Sequence, residues 1–149
     1  MWRGESVVDR EGRSKAATLL RSLASGQITN DEFADRWPAS PDPAVDEVYW
    51  AAWKLYSDLK EYRLVGADRL AKAERREVAR WVVFLRTDLR YSWPQLPKVP
   101  FLLAGITTAG ISTWLTTLWY RRQGDLSSWP FINQAQLNQE LGHGNRCAT

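Results

Sequence analysis

Apolar side chains recur every three or four residues in several stretches of the chain, and this spacing places them on one face of an α-helix. The pattern predicts helices over residues 14–25, about 43–62, about 70–90 and roughly 133–141. Gly26 follows the first of these helices, where a glycine can end a helix in the left-handed conformation. The chain is therefore predicted to be predominantly α-helical.

A further short helix is predicted to begin after Thr29. The Thr29 hydroxyl is placed to cap it, and Glu32, three residues later, can accept a hydrogen bond from the Thr29 amide. Ile28 and Phe33 occupy the two positions of a hydrophobic staple, so we expect them to be in contact. This helix must end before Pro38, because proline lacks an amide donor and disfavours helical geometry at the preceding residue.

The two longest predicted helices lie in the middle of the chain. Asp42 and Pro43 supply a cap and a favourable first residue for the helix over 43–62, and Gly66 separates it from the helix over 70–90. Because the connection is short, we expect the two to pair antiparallel. The predicted fold class is all-α, a small helical domain built on a long antiparallel helix pair with a hydrophobic C-terminal segment.

The length of 149 residues fits one domain with a substantial core. We assign this domain to residues 14–141, with a frayed N-terminus over 1–13 and a disordered tail over 142–149. Prolines at 94, 97 and 100 predict a stiff, extended break over residues 93–100.

An uncharged segment, residues 101–120, follows this break and leaves two interpretations open. It is long enough to cross a bilayer as a helix, and aromatic residues followed by arginine would suit its end. Five Thr, one Ser and two Gly make it less apolar than a typical membrane span. We therefore favour a buried segment that covers Trp50 and Trp53, and we keep a transmembrane helix as the alternative.

Composition changes this picture in two ways. The formal net charge is +3, from 20 Lys and Arg against 17 Asp and Glu, which permits an acidic partner and does not favour nucleic acid. Nine Trp make the chain tryptophan-rich, and Trp is enriched both in cores and at interfaces. The single Cys147 excludes an intrachain disulfide, so we expect a reducing, cytoplasmic location, or the inner membrane if residues 101–120 span it.

Three aromatic-rich stretches carry a resemblance: Leu-Tyr-Ser-Asp-Leu at 55–59, Phe-Leu-Arg-Thr-Asp-Leu-Arg-Tyr-Ser-Trp-Pro at 84–94, and Gly-Asp-Leu-Ser-Ser-Trp-Pro-Phe at 124–131. In these the chain resembles small, uncharacterised bacterial helical proteins that have no assigned function. The resemblance covers about residues 14–141. It implies a bacterial origin, and it implies no activity, because its motifs are of a packing type.

We find no set of residues in the sequence that predicts catalysis. The one His and the one Cys, His143 and Cys147, both lie in the predicted disordered tail, where nothing would hold them in mutual reach. The same count excludes a zinc site built on Cys and His ligands. We therefore predict no catalytic, cofactor-binding or metal-binding residues, and no enzyme.

Two surfaces are candidates for binding a partner. On a helical wheel Trp50 points away from the apolar face of its helix, and Trp53 lies nearby, so these rings either are covered by the segment after Pro100 or anchor a partner. The second surface is a basic stripe on the helix over 70–90, which could follow an acidic surface but is more typical of a solvated helix face. Its candidate residues are Arg69, Lys72, Arg76 and Arg80.

Two carboxylates are predicted to be buried polar groups. One helical turn places Asp88 on the stripe of Trp81 and Leu85, and Asp58 lies on the flank of its helix. A buried carboxylate needs a partner, and either Asp could receive an arginine such as Arg63 or Arg86 across the helix pair, which favours a structural role over a catalytic one.

From these observations the sequence predicts a non-catalytic protein-interaction or regulatory module of a bacterial cytoplasm, with an unidentified protein partner. The alternative is a small membrane-anchored protein, with residues 101–120 as the transmembrane helix and a cytoplasmic N-terminal helical domain.

Overall fold

A computed structural model describes residues 7–93 and 124–146. Over these residues the chain forms five α-helices and no strand, which confirms the all-α class for this part of the chain. The helices are α1 Arg10–Ala24, α2 Asn30–Arg36, α3 Pro43–Ala52, α4 Lys72–Leu85 and α5 Gln134–Arg146. Short 3-10 turns lie at Trp53–Leu55, Gly66–Asp68 and Leu126–Ser128.

Helix α1 has a well-defined hydrogen-bonded group at each end. At its start the Asp9 carboxylate accepts a hydrogen bond from the Gly12 amide at 3.0 Å. At its end Gly26 has φ +72°, as the sequence predicts for a left-handed stop. A side chain at this position would also collide with Val65, so both the backbone angle and the packing require glycine.

The N-terminal part of α1 corrects one prediction. Residues 10–13 were expected to belong to a frayed terminus, but α1 begins at Arg10 and Arg13 is completely buried. The sequence prediction was wrong here because a segment rich in charge was assumed to have no partner inside the molecule. Residues 1–6 of the predicted frayed segment lie outside the described residues.

The predicted capping box of α2 is confirmed. The Glu32 amide donates to the Thr29 hydroxyl at 3.1 Å, and the Thr29 amide donates to the Glu32 carboxylate at 2.9 Å. Ile28 and Phe33, the two staple residues, are both buried. The helix ends at Arg36, ahead of Pro38, as expected.

Helix α3 is ten residues shorter than predicted, since it ends at Ala52 rather than near Tyr62. The reason is the buried side chain of Asn30. Its amide nitrogen donates to the carbonyls of Ser57 at 3.1 Å and Lys60 at 3.0 Å, and its oxygen accepts from the Tyr62 amide at 2.8 Å. These bonds hold residues 57–62 as a loop, because the same backbone groups cannot also be paired within a helix.

Helix α4 ends at Leu85, five residues before the predicted end. The Thr87 hydroxyl donates to the Phe84 carbonyl at 2.7 Å, which ends the regular helical pattern. Beyond it, the carbonyls of Thr87 and Leu89 both accept from the Arg13 guanidinium at 2.9 Å. A side chain of α1 therefore satisfies backbone groups that follow α4.

The core lies mainly between α1 and α4, which pack against each other more extensively than any other two helices of the described structure. The predicted long antiparallel pair over 43–62 and 70–90 is not confirmed, because α3 is short and contacts α4 less extensively than α1 does. Large side chains that are fully buried include Leu20, Leu23, Phe33, Val45, Val48, Phe84 and Leu85.

The C-terminal described part packs onto α4 through aromatic rings. Phe131 is fully buried and meets Phe84 edge to face, with ring centroids 5.1 Å apart. Trp93, at the end of the first described range, donates its indole N–H to the Pro130 carbonyl at 3.0 Å. The two described ranges are thus joined in one core.

Helix α5 also differs from its prediction. It continues to Arg146, so residues 142–146, which were expected to be disordered, are helical, and residues 147–149 lie outside the described residues. The rest of the predicted proline-rich break after Trp93 and the uncharged segment 101–120 lie outside them too.

Candidate functional site

Two tryptophans lie next to each other on the outer side of the molecule, where α3 ends. Trp50 and Trp53 are three residues apart, a spacing that makes side chains neighbours on a helix surface. Their ring centroids are 5.2 Å apart and their planes meet at 68°. Each side chain is 43% exposed, which is unusual for so large an apolar group.

The exposed pair continues into a row of rings. Trp50 contacts Tyr49 with centroids 5.6 Å apart, and Tyr49 contacts Trp37 at 5.5 Å. We call Trp37, Tyr49, Trp50 and Trp53 the aromatic ridge. Helix α3 provides Tyr49 and Trp50, the 3-10 turn after it provides Trp53, and Trp37 directly follows α2, so the ridge joins the ends of α2 and α3.

Buried rings support the ridge from below. Phe33, fully buried, lies 5.0 Å from Trp37, 6.3 Å from Tyr49 and 6.0 Å from Tyr56, measured between ring centroids. Such contacts fix side-chain rotamers, because each ring limits the rotation of its neighbours. The exposed tryptophans therefore stand on a packed base.

Two polar atoms in this support have no hydrogen-bond partner among the described residues. They are the buried indole nitrogen of Trp37 and the buried hydroxyl of Tyr56. Burial raises the pKa of Tyr56 to about 12, and nearby Tyr49 and the negative charges of Asp58 and Asp31 act in the same direction. The phenol of Tyr56 therefore stays neutral over the physiological range.

The predicted basic stripe is divided in the structure. Arg69, Lys72 and Arg76 are exposed. Arg80 is half-buried, and its guanidinium donates to the Ser127 carbonyl, which ties α4 to the C-terminal part of the chain. Arg80 is therefore a packing residue, and three of the four predicted basic residues remain on the surface.

Hydrogen bonds also organise the turn that receives Arg80. The Asp125 carboxylate accepts from the Ser127 hydroxyl at 2.7 Å and from the Ser127 amide at 2.9 Å. These bonds lower the pKa of Asp125, and the positive charge of Arg80 adds to the effect.

Neither carboxylate that was predicted to be buried is buried. Asp58 is exposed in the loop after α3, because that helix ends six residues before it. Asp88 lies beyond the end of α4, so the helical wheel that placed it beside Trp81 and Leu85 does not apply. Its carboxylate does meet an arginine, Arg10, but as a surface ion pair with the Asp88 side chain 71% exposed.

The buried ion pair of the described structure is Arg13 with Asp42, which the sequence analysis missed. The Arg13 Nε lies 2.5 Å from Asp42 Oδ2, and a second guanidinium nitrogen lies 3.3 Å from Oδ1. Asp42 also accepts from the amides of Asp9 at 3.0 Å and Ala44 at 2.9 Å. Each oxygen of the Asp42 carboxylate thus accepts two hydrogen bonds, so we assign the pair a structural role.

Asp9 completes this network at its exposed edge. Its carboxylate accepts from the Ser40 hydroxyl at 2.6 Å, and this bond, followed by the one from the Gly12 amide, lowers the pKa of Asp9. A side chain at Gly12 would collide with the Asp9 carboxylate and approach the Ser40 hydroxyl. The sequence did offer one indication, since Asp42 before Pro43 marks a cap, but the buried partner 29 residues away was not visible in it.

Across residues 7–93 and 124–146, no group of three or more His, Cys, Asp or Glu residues could hold a metal ion. In the same part of the chain no helix combines the length and the apolar character that crossing a membrane requires. No protein-family model, curated protein or solved structure matches this chain.

Proposed function

We propose that this chain is a non-catalytic protein-interaction or regulatory module of a bacterial cytoplasm and that it binds its partner through the aromatic ridge. The observation that carries the proposal is the exposure of two adjacent tryptophans, Trp50 and Trp53, on a packed aromatic base.

Tryptophan suits such a role because a single ring offers a large apolar contact area and an N–H donor. Binding costs less conformational entropy when the contacting side chains are already held in place. Trp50 meets this condition, since its ring contacts the rings of both Tyr49 and Trp53. Residues of this kind dominate the binding energy of many interfaces.

The exposed basic residues Arg69, Lys72 and Arg76 add a second property to the proposal. Surface charges of one sign speed the encounter with a partner of opposite charge, and they contribute less to the final affinity. We expect them to favour an acidic partner and to make the association rate depend on salt.

The test uses the full-length chain as bait in extract of its native host, followed by binding measurements with the purified partner. We expect Trp50→Ala with Trp53→Ala to weaken binding at least about tenfold, because losing even one hot-spot contribution of about 1.4 kcal/mol lowers the affinity tenfold. Leu141→Ala is the matched control, since Leu141 is 47% exposed and lies outside the ridge.

The double variant must also be shown to fold, by its circular dichroism spectrum and its thermal midpoint. The conservative pair Trp50→Phe with Trp53→Phe should retain part of the affinity, because it keeps two aromatic faces in place. A partner that binds the folded Trp50→Ala, Trp53→Ala protein as tightly as the wild type would refute the proposal.

The membrane-anchored alternative is supported by the absence of charge in residues 101–120. Expression without detergent and fractionation distinguishes the two proposals. Recovery in the membrane fraction, abolished when residues 101–120 are deleted, would favour the anchor. A monodisperse species in the aqueous fraction would favour the interaction module.

A further inference from the structure

We propose that the aromatic ridge of one copy of this chain docks on the exposed basic residues of a second copy, so that the chain associates with itself head to tail. These residues are Arg69, Lys72 and Arg76, which we call the exposed basic stripe. The inference rests on the proposed function, because it names the partner for the same surface. It follows from the opposite charges of the two surfaces, from their spacing, and from the absence of cations over the rings of the ridge.

Two carboxylates without an ion pair lie beside the base of the ridge. Burial and Tyr49 are the larger causes of the raised pKa of Tyr56, and the charges of Asp58 and Asp31 add to them, so both carboxylates lie near this ring. Both are exposed, and neither forms an ion pair within residues 7–93 and 124–146. The base of the ridge therefore carries negative charge that a basic partner can neutralise.

Further carboxylates lie on α3 next to the exposed tryptophans. Asp46 and Glu47 precede Trp50 by one helical turn, which makes their side chains its neighbours on the helix surface. Lys54 follows Trp50 by four residues and offsets part of this charge. Across α2 and residues 43–63, however, seven Asp and Glu stand against four Lys and Arg. The surface that suits the ridge is therefore a basic one.

The exposed basic stripe has the opposite charge and a matching spacing. Its three residues form no ion pair within the described part of the chain. Lys72 and Arg76 are four residues apart on α4, so their Cβ atoms are about 5–6 Å apart. The ring centroids of Trp50 and Trp53 are 5.2 Å apart. Two cations of one copy can therefore lie against two rings of another, as cations do over the face of tryptophan.

Within one molecule the two surfaces do not satisfy each other. Among the described residues, the cations that lie over aromatic rings are Arg13, over Phe84, and Lys60, over Tyr62. No cation of the described structure lies over a ring of the ridge. Because every copy carries both surfaces, a second copy supplies each surface with the complement that it lacks within its own molecule.

The two surfaces differ, so the contact between copies is heterologous. Each contact leaves one ridge and one basic stripe unoccupied, and we therefore expect association to increase with protein concentration. It should also depend on salt, because the screening length for exposed charges falls from about 10 Å at 0.1 M salt to about 3 Å at 1 M.

The experiment is sedimentation velocity of the full-length chain over a range of protein concentrations at these two salt concentrations. We expect a monomer at low concentration, larger species at high concentration in 0.1 M salt, and their loss in 1 M salt. Two variants each remove one surface. Trp50→Ala with Trp53→Ala keeps the basic stripe, and Arg69→Glu with Lys72→Glu and Arg76→Glu keeps the ridge. Each should weaken self-association at least about tenfold.

A mixture of the two variants is the decisive sample. The ridge of one variant and the basic stripe of the other still form one contact, and neither protein can extend it, so we expect a 1:1 complex. The matched control reverses three exposed arginines outside the stripe and changes the net charge equally. This control, Arg21→Glu with Arg86→Glu and Arg90→Glu, should associate as the wild type does.

Circular dichroism must show that each variant folds. The inference is overturned if the wild type stays monomeric at every concentration in 0.1 M salt, if either folded variant associates as the wild type does, or if two folded variants form no complex. If a variant does not fold, the wild-type series decides, since association must appear in 0.1 M salt and vanish in 1 M. Failure of the proposed function is a separate result. A monomeric chain could still lose a partner from the host extract when Trp50 and Trp53 are replaced.

Discussion

At the scale of single residues, the buried pair of Arg13 and Asp42 connects three helices. Asp42 caps α3, Arg13 belongs to α1, and the same guanidinium binds the carbonyls of Thr87 and Leu89 after α4. It also lies over the ring of Phe84, 5.3 Å from the centroid. Removing one partner of such a pair leaves the other charge buried without compensation.

We therefore expect Asp42→Ala to lower the free energy of unfolding by about 3–5 kcal/mol, as measured by urea denaturation. Asp88→Ala is the control, because its ion pair with Arg10 lies on the surface, where such pairs contribute little. Equal losses of stability in the two variants would contradict the role assigned to the buried pair.

The raised pKa of Tyr56 predicts that the stability of the folded chain falls at alkaline pH. Its pKa is about 12 in the folded chain against an ordinary value of 10.0, because burial disfavours the phenolate. The folded state thus holds the proton more tightly than the unfolded state. The contribution of this proton to the free energy of unfolding is complete below pH 10 and is lost as the pH rises through the folded pKa.

We expect the phenolate absorbance of the native protein, compared with that of Tyr56→Phe, to reveal one tyrosine that titrates near pH 12. In urea, where the chain is unfolded, the same difference in phenolate absorbance between the two proteins should titrate near pH 10. At pH 7 Tyr56→Phe should leave stability unchanged or slightly raised, because the hydroxyl has no partner among the described residues. A native midpoint near pH 10 would be incompatible with burial of this hydroxyl.

At the scale of elements, the starts of the helices follow local rules and their ends do not. Thr29 caps α2 and Asp42 caps α3 through hydrogen bonds that span two or three residues. The end of α3 depends instead on Asn30, which binds backbone groups of residues 57–62. The helix propensity of residues 53–62 could not show that their backbone groups would bond to a side chain of another helix.

Replacing Thr29 by Ala should lower the free energy of unfolding by about 1 kcal/mol, because the Glu32 amide loses its acceptor. Thr18→Ala is the matched control. Thr18 lies exposed within α1, its hydroxyl bonds the Ser14 carbonyl, and alanine has the higher helix propensity there. A loss for Thr29→Ala no larger than that for Thr18→Ala would show that the capping box contributes nothing.

At the scale of the whole molecule, the C-terminal part completes the core that α1 and α4 begin. Phe131 fills a fully buried position against Phe84, and Trp93 fixes the neighbouring backbone by its two hydrogen bonds. The residues 124–132 are therefore a structural part of the domain, and their removal would expose aromatic surface on α4.

Phe131→Ala should accordingly cost about 3–5 kcal/mol of unfolding free energy in the same denaturation assay, since it leaves a cavity beside Phe84. Leu126→Ala, at a site that is 40% exposed, should cost much less. If both variants unfold at the same urea concentration, the C-terminal part does not contribute to the core in the way described.

The sequence by itself determined the all-α class, the capping box at Thr29, the cap at Asp42 and the glycine stop at Gly26. Each depends on side-chain period or on groups within a few residues of one another, so the information is local. The sequence also predicts Trp50 as a candidate for the same reason, since its place on the helix follows from the period of α3.

Tertiary structure alone decided the lengths of α3 and α4, the exposure of Asp58 and Asp88, and the choice of Arg13 as the partner of Asp42. These outcomes depend on contacts between distant residues, such as the 74 that separate Arg13 from Thr87. A helix continues only while its backbone groups have no better partner, and that competition is settled by the packing of the whole chain.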